Sequence, residues 1–252
     1  MNRFLKIIFL ITSFFCIADL QAQIKKTTVK KITAPQTKSA KTKHPPAKVK
    51  EKIQPLSDTA VTRIKIITDL GEMVVRLSNK TPRHRDNFIK LVKNHFYDSL
   101  LFHRIINTFM IQGGDPKSKN AVSNELLGEG DVGYTIPAEL DSTLYHKRGA
   151  LCAARTDNPE KASSGCQFYI VHGKKYSDGQ LDNLGIKNGV YFSPAKRMTY
   201  KIAGGTPQLD MRYTVFGEVE SGIEVVDKIA LSARDTNNRP LTDIRMQMEI
   251  LQ

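Results

Sequence analysis

The 252-residue sequence has no tryptophan and only three cysteines. So few cysteines exclude a disulfide-built scaffold. They form no CxxC pair and stand at no zinc-site spacing from a histidine, so no metal is expected. Long hydrophobic runs are missing too. The longest, IIFLITSFFCIA near the N-terminus, is too short for a comfortable membrane span. Internal repeats are absent. Acidic residues are scarce, 25 against 38 Lys and Arg, which gives a net charge of +13 and invites a nucleic-acid partner. The location of the charge argues otherwise. Residues 23–60 hold ten lysines against Glu51 and Asp58, a balance of +8, and residues 61–252 keep +4. That is ordinary for a domain, and no nucleic-acid partner is expected.

What is present organises the chain into three parts. A basic head, MNRFLK, precedes the apolar run, and LQAQ follows with Ala22 as the last residue before cleavage. Residues 1–22 therefore read as a secretory signal peptide. The alternatives are an uncleaved anchor or a lipoprotein signal on Cys16, the latter disfavoured by bulky Phe15. Export to the periplasm or cell envelope follows, with secretion or anchorage by an uncleaved N-terminus as the alternatives. Residues 23–60, rich in Lys, Thr, Pro and Ala, lack hydrophobic periodicity and read as a basic disordered linker. A solvated tether is the preferred role, and loose contact with anionic surfaces is the other. Once Cys16 leaves, Cys152 and Cys166 are either one disulfide or two buried free thiols.

Residues 61–252 carry a folded domain. TRIKIITDLGEMVVRL predicts a hairpin. TPRHRDNFIKLVKNHFY predicts a helix with Thr81 as N-cap, Pro82 in the first turn and Phe88, Leu91 and Val92 inward. LLFHRII, FMIQGGD, GYTIPAEL, GALCAAR, CQFYIVHG, RYTVFGEVE and TDIRMQMEI read as further strands, and SGIEVVDKIALSAR as a second helix. Residues 173–207 are polar and glycine-rich and predict a surface insertion, partly helical. The fold class is mainly β: a closed antiparallel barrel capped by two α-helices.

One stretch, FHRIINTFMIQGGD at 102–115, poses a physical problem. Arg104 stands among Phe102, Ile105, Ile106, Phe109, Met110 and Ile111. A guanidinium cannot be neutralised and loses hydration at high cost, so it needs a reason to be there. The adjacent His103 points to the opposite face of a strand and is assigned to packing or to the surface.

Four blocks in order, FHRIINTFMIQGGD, GYTIPAEL, SSGCQFYIV and LDMRYTVFGEV, resemble the cyclophilin family of peptidyl-prolyl cis-trans isomerases over roughly 62–251. The resemblance implies an eight-stranded antiparallel barrel with two helices, no cofactor, and a monomer acting on proline-containing polypeptides of the exported, folding proteome. It also implies roles. Arg104 matches the catalytic arginine. Phe109 and Met110 match the pair that floors the proline pocket, and Gln112 the glutamine two residues on. Ala154 and Arg155 match the strand edge that hydrogen-bonds substrate backbone, where Ala-Asn is common. Gln167, Tyr169, Leu209 and Tyr213 match further substrate-binding positions. Tyr169 stands where the family has Phe, and Tyr213 where many members have His. Gln208 replaces a tryptophan that contacts cyclosporin, so weak drug binding is expected.

The chemistry asks for such an arginine. Resonance in the peptide bond sets a rotation barrier of ~18–20 kcal/mol. In the twisted transition state resonance is lost, and the nitrogen lone pair becomes a hydrogen-bond acceptor. A donor aimed there binds the transition state better than the planar substrate. The rival readings are a peptide-binding module using the same groove and a surface-adhesive protein driven by the basic linker.

Overall fold

The structure, a computed structural model, describes residues 61–123 and 125–251. The signal-peptide and linker readings over 1–60 lie outside the described residues. β1 (Arg63–Thr68) and β2 (Gly71–Leu77) form the predicted hairpin around Asp69 and Leu70. Alternation drives it: Ile64, Ile66, Met73 and Val75 are buried, whereas Lys65 and Glu72 pair across the outer face. α1 (Pro82–Lys93) follows and buries Phe88, Leu91 and Val92 as the spacing requires. Its cap differs from expectation. Thr81 takes the N-cap position, but its hydroxyl makes no cap bond. The Glu139 carboxylate instead accepts the N–H groups of Arg83 and His84 at 3.1 and 3.0 Å. A charge at the positive end of the helix does what the short hydroxyl does not.

The remaining strands are β3 (Arg104–Ile106), β4 (Met110–Gly113), β5 (Thr135–Ile136), β6 (Ala150–Ala153), β7 (Ser163–Ser164), β8 (Phe168–Val171), β9 (Val215–Ser221) and β10 (Gln247–Leu251). Eight of them form one antiparallel sheet in the order β10-β1-β2-β9-β6-β8-β4-β3, and β5 pairs β7 separately. The expected closed barrel is therefore corrected to a sheet with two edges, β10 and β3. LLFHRII yields only three strand residues, and the Leu101 N–H ahead of them is taken by the Ser118 hydroxyl. The chain just ahead of each edge still meets its counterpart: Phe102 N–H donates to Ile244 O and Met246 N–H to Leu100 O. Among the described residues no helix is long and apolar enough to cross a membrane.

Two capping helices and a partly helical insertion were expected, and among the described residues four α-helices are present. α4 (Ile223–Leu231) is the second expected one and buries Val225, Val226, Ile229 and Ala230. α2 (Asp178–Asn188) and α3 (Pro194–Ile202) lie in the insertion. They close on a small core of their own around Leu181, Phe192 and Tyr200. Cys152 and Cys166 are free and buried.

The sheet buries both faces where the site lies. Ile105, Ile111, Leu151, Ala153, Phe168 and Ile170 point into the main core, against α1 and α4. Their alternates, among them Met110, Cys152, Tyr169 and Val171, form a second apolar cluster on the other face. This explains why β6 and β8 read as continuous hydrophobic runs rather than alternating ones.

Candidate active site

Strand register builds the site. Arg104 opposes Gln112, Gln112 opposes Tyr169, and Tyr169 opposes Cys152, so one row crosses β3, β4, β8 and β6. Directly opposed residues share a face, and this face is the one away from the main core. Two residues along, Ile106, Met110 and Val171 form a parallel row. Phe109 comes from the β3–β4 turn, where Thr108 adopts φ +62°. Leu209 closes a 3-10 turn at Pro207–Leu209, and Tyr213 follows before β9.

These residues enclose a cavity of about 120 Å³, lined by Arg104, Phe109, Met110, Gln112, Ala154, Arg155, Tyr169, Leu209 and Tyr213. Nine of the ten candidates from the sequence thus come together. The tenth, Gln167, lines an adjoining cavity of about 500 Å³ that shares Gln112, Ala154 and Arg155 with the first. A cavity of about 380 Å³, lined by Arg76, Lys80 and Lys147, lies elsewhere and contains none of the candidates. Size alone does not mark the chemistry.

Arg104 is half-buried on the cavity wall, and burial lowers its affinity for the proton from the ordinary value while Tyr213 opposes the shift. The guanidinium stays charged throughout. Its Nη1 donates to Gln112 Oε1 at 3.1 Å, and among the described residues no carboxylate pairs with it. Gln112 Nε2 then donates to Gln167 Oε1 at 3.0 Å. Gln167 Nε2 ends the relay on the carbonyls of Gly128 and Gly130 at 2.9 and 2.7 Å. Every link runs donor to acceptor, so flipping either amide would set like against like. The relay fixes the fork of Arg104.

The other walls are held as firmly. The Arg155 guanidinium lies 4.6 Å from the centre of the Tyr213 ring. That ring meets Tyr169 edge-on at 6.0 Å. Tyr169 turns its hydroxyl to His146 Nε2, 3.0 Å away, and so gains a hydrogen-bond partner beyond the cavity wall. The strand-edge reading of Ala154 and Arg155 is corrected: β6 is interior, flanked by β8 and β9. Both residues lie just past its end. Ala154 N–H and C=O are committed to Gln167 O and Ser164 N.

The sequence reading missed His146, Asp210 and Tyr200, which stand behind Tyr169. It also missed Glu129 and Asp131 on the adjoining cavity. Only Asp210 carried a signal, its place beside Leu209. The structure also holds a Ser163, His84, Glu139 chain at triad-like distances, 3.0 and 2.7 Å. It cannot act on a substrate. Ser163 is 1% exposed, and burial lowers the His84 pKa despite the carboxylate. The trio ties α1 to the β7 segment. Among the described residues no group of His, Cys, Asp and Glu is placed to hold a metal.

Comparison with known proteins points to one family. The family model described as cyclophilin type peptidyl-prolyl cis-trans isomerase/CLD matches residues 63–249. A Staphylococcus aureus protein named as a peptidyl-prolyl cis-trans isomerase is 34% identical over 184 residues, covering 72% of this chain and 88% of its own. A Streptococcus pyogenes serotype M6 protein named as a bifunctional phosphatase/peptidyl-prolyl cis-trans isomerase is 34% identical over 187 residues. The chain spans only 37% of that protein's length. A crystal structure of a Cryptosporidium parvum cyclophilin type peptidyl-prolyl cis-trans isomerase superposes with a TM-score of 0.58 at 23% identity. That superposition covers 77% of this chain and 99% of the other. The same parasite enzyme in the presence of the dipeptide Ala-Pro gives a TM-score of 0.56 at 23% identity, over 75% of this chain and 99% of that one.

Proposed function

The chain belongs to the cyclophilin-type peptidyl-prolyl cis-trans isomerases, and on that premise we propose that it turns X–Pro bonds at the 120 Å³ cavity with Arg104 as the catalytic donor. One observation carries the reading. A permanently charged fork sits on the wall of an apolar cavity, held by an amide relay and unpaired with any carboxylate among the described residues. Such a donor has unused N–H groups and a low-dielectric setting in which they count. Arg104 donates to the prolyl nitrogen as the amide twists, and no proton changes hands. Phe109, Met110, Tyr169 and Leu209 clasp the ring. With Ala154 already bonded on both sides, main-chain contact to the substrate falls to Arg155. The test is isomerisation of a short X–Pro peptide by the purified chain beside its Arg104→Ala variant.

Met110 is 2% exposed on the cavity floor and offers its thioether to the pyrrolidine. Met110→Ala is expected to raise KM about three- to tenfold through lost apolar contact. An unchanged KM in a folded variant would remove Met110 from the pocket floor.

We propose further that residues 1–22 deliver the chain itself to the cell envelope, that residues 23–60 serve as a solvated tether, and that the substrates are proline-containing exported proteins. The basic head, short apolar run and Ala22 motivate this. The intact mass of the protein recovered from the envelope fraction is expected to correspond to a chain beginning at Gln23. Recovery of a chain that retains Met1 would exclude cleavage.

A further inference from the structure

Tyr169 carries a hydroxyl where the resemblance implies a bare ring, and that hydroxyl has a partner. Its hydroxyl is fully enclosed, and burial pushes its pKa well up. It lies 3.0 Å from His146 Nε2. His146 is itself buried, and its ring stacks on Tyr169 with centroids 6.1 Å apart. The other ring nitrogen, Nδ1, is 3.1 Å from Asp210 Oδ1, and the His146 main-chain N–H donates to the same oxygen at 2.9 Å. A carboxylate oxygen accepts, so Nδ1 carries the proton and Nε2 is the acceptor. The Tyr169 O–H therefore donates. Burial lowers the His146 pKa, in keeping with a neutral ring.

The chain of bonds does not end at His146. Asp210, 2% exposed, also accepts the Tyr200 hydroxyl at 2.9 and 2.8 Å, with Lys196 Nζ at 4.0 Å. Tyr200 and Lys196 both sit on α3, in the insertion. Tyr200 is wholly buried between Phe192, Tyr145 and Tyr176, so its hydroxyl cannot swing away. The insertion joins the sheet at Gly205, whose missing Cβ would lie 2.3 Å from His146 O and 2.6 Å from the Tyr200 ring. The close approach at that glycine sets His146 and Tyr200 against each other around one carboxylate.

We propose that Tyr200 and Asp210 are positioning residues of the prolyl pocket, acting through His146 on the Tyr169 ring, so that the helical insertion sets how tightly the substrate proline is gripped. A buried hydroxyl must be satisfied. The Tyr169 hydroxyl finds its acceptor in His146, with the Cys152 thiol as a weaker neighbour, so the pocket wall is held where His146 lies, and His146 lies where the insertion holds Asp210. The inference rests on the reading of the 120 Å³ cavity as the prolyl pocket.

The test uses the full chain and a short X–Pro peptide. Tyr200→Phe keeps the ring and removes both bonds to Asp210. It is expected to raise KM about five- to tenfold and to leave kcat within about twofold. In a Tyr169→Phe background the same substitution is expected to change KM less than about twofold, because the route to the pocket is gone. A folded Tyr200→Phe with unmoved KM and a lowered Tm would make the insertion a structural decoration and overturn the proposal. So would an equal rise in both backgrounds. If Tyr200→Phe does not fold, ring nitrogen shifts of His146 in the wild-type chain decide. They are expected to show protonated Nδ1 and to move on saturation with Ala-Pro, and shifts that stay fixed overturn the proposal. Arg104→Ala, run alongside, separates the two levels. Full activity there sinks the pocket reading, whereas loss of coupling with Arg104 dependence intact sinks this inference alone.

Discussion

Arg104→Ala is expected to lower kcat/KM by about 10²–10³ and to leave the melting temperature nearly unchanged. The magnitude is that of removing one oriented donor from a charge-stabilising site. The direction follows from where the bond forms. In the planar ground state the prolyl nitrogen lends its lone pair to the carbonyl and accepts nothing. Only the twisted amide offers it, so the lost interaction belongs to the transition state and the fall should appear in kcat. The fold should tolerate the change because Arg104 pairs with no carboxylate among the described residues and its side chain is half-exposed. Its neighbours Phe102 and Ile105, both fully buried, carry the packing. Near-full activity in a folded Arg104→Ala chain would end the donor mechanism. The groove would then be read as a peptide-binding module whose arginine only grips. Arg104→Lys sharpens the test, since a point charge on a flexible stem cannot keep one hydrogen bond to Gln112 and aim another N–H at the substrate. It should recover a minor part of the loss.

What the sequence made legible and what it hid divide along physical lines. Cross-strand sites are legible when their residues lie in short, strongly patterned segments. Arg104, Phe109, Met110 and Gln112 fall within nine residues, and register alone brings Tyr169 beside them. The roles of Phe109, Met110, Gln112, Tyr169, Leu209 and Tyr213 were all given by resemblance, and for Leu209 and Tyr213 nothing in local periodicity reports that they reach the same cavity. The insertion was legible as a polar, partly helical segment, but the number and bounds of its helices were not. Its core rests on Leu181 from α2, Tyr200 from α3 and Phe192 between them, one buried residue apiece. The helix signals there were terminal. Ser177 and Gln180 form a reciprocal capping box, Ser193 caps α3 ahead of Pro194, and Gly189 closes α2 in the left-handed conformation. Closure of the barrel was beyond any local signal. Phe102 N–H donates to Ile244 O and Met246 N–H to Leu100 O, yet the pairing is not carried on between β3 and β10.

Folding stability is expected to fall by about 3 kcal/mol as pH drops from 6.5 to 4, through His103 alone. His103 occupies the strand position beside Arg104 and points the other way, as alternation requires, but it is packed rather than surface-exposed, only 3% open. Neither ring nitrogen meets a partner in good hydrogen-bonding geometry. Burial is the main cause that drives its pKa from 6.5 to about 4; Arg104 and Arg239 push the same way, and Asp115 and the Leu101 main chain oppose too weakly. The sign follows from proton counting. Between pH 6.5 and 4 the unfolded chain binds a proton at this site and the folded chain does not, so acid favours unfolding. The stability is present above 6.5 and lost as pH falls to about 4, where the folded ring also charges. His84 and His146, also lowered by burial, steepen the same slope. Denaturant midpoints at pH 7 and pH 4 for wild type and His103→Phe isolate the contribution. The variant should lose much of the difference between the two conditions, whatever its absolute stability. An identical slope in both chains would mean that the imidazole finds a proton acceptor in the fold. The same neutrality matters for catalysis. A ring that stays uncharged down to about pH 4 offers no acid at neutral pH, which leaves Arg104 as the charged donor in this strand.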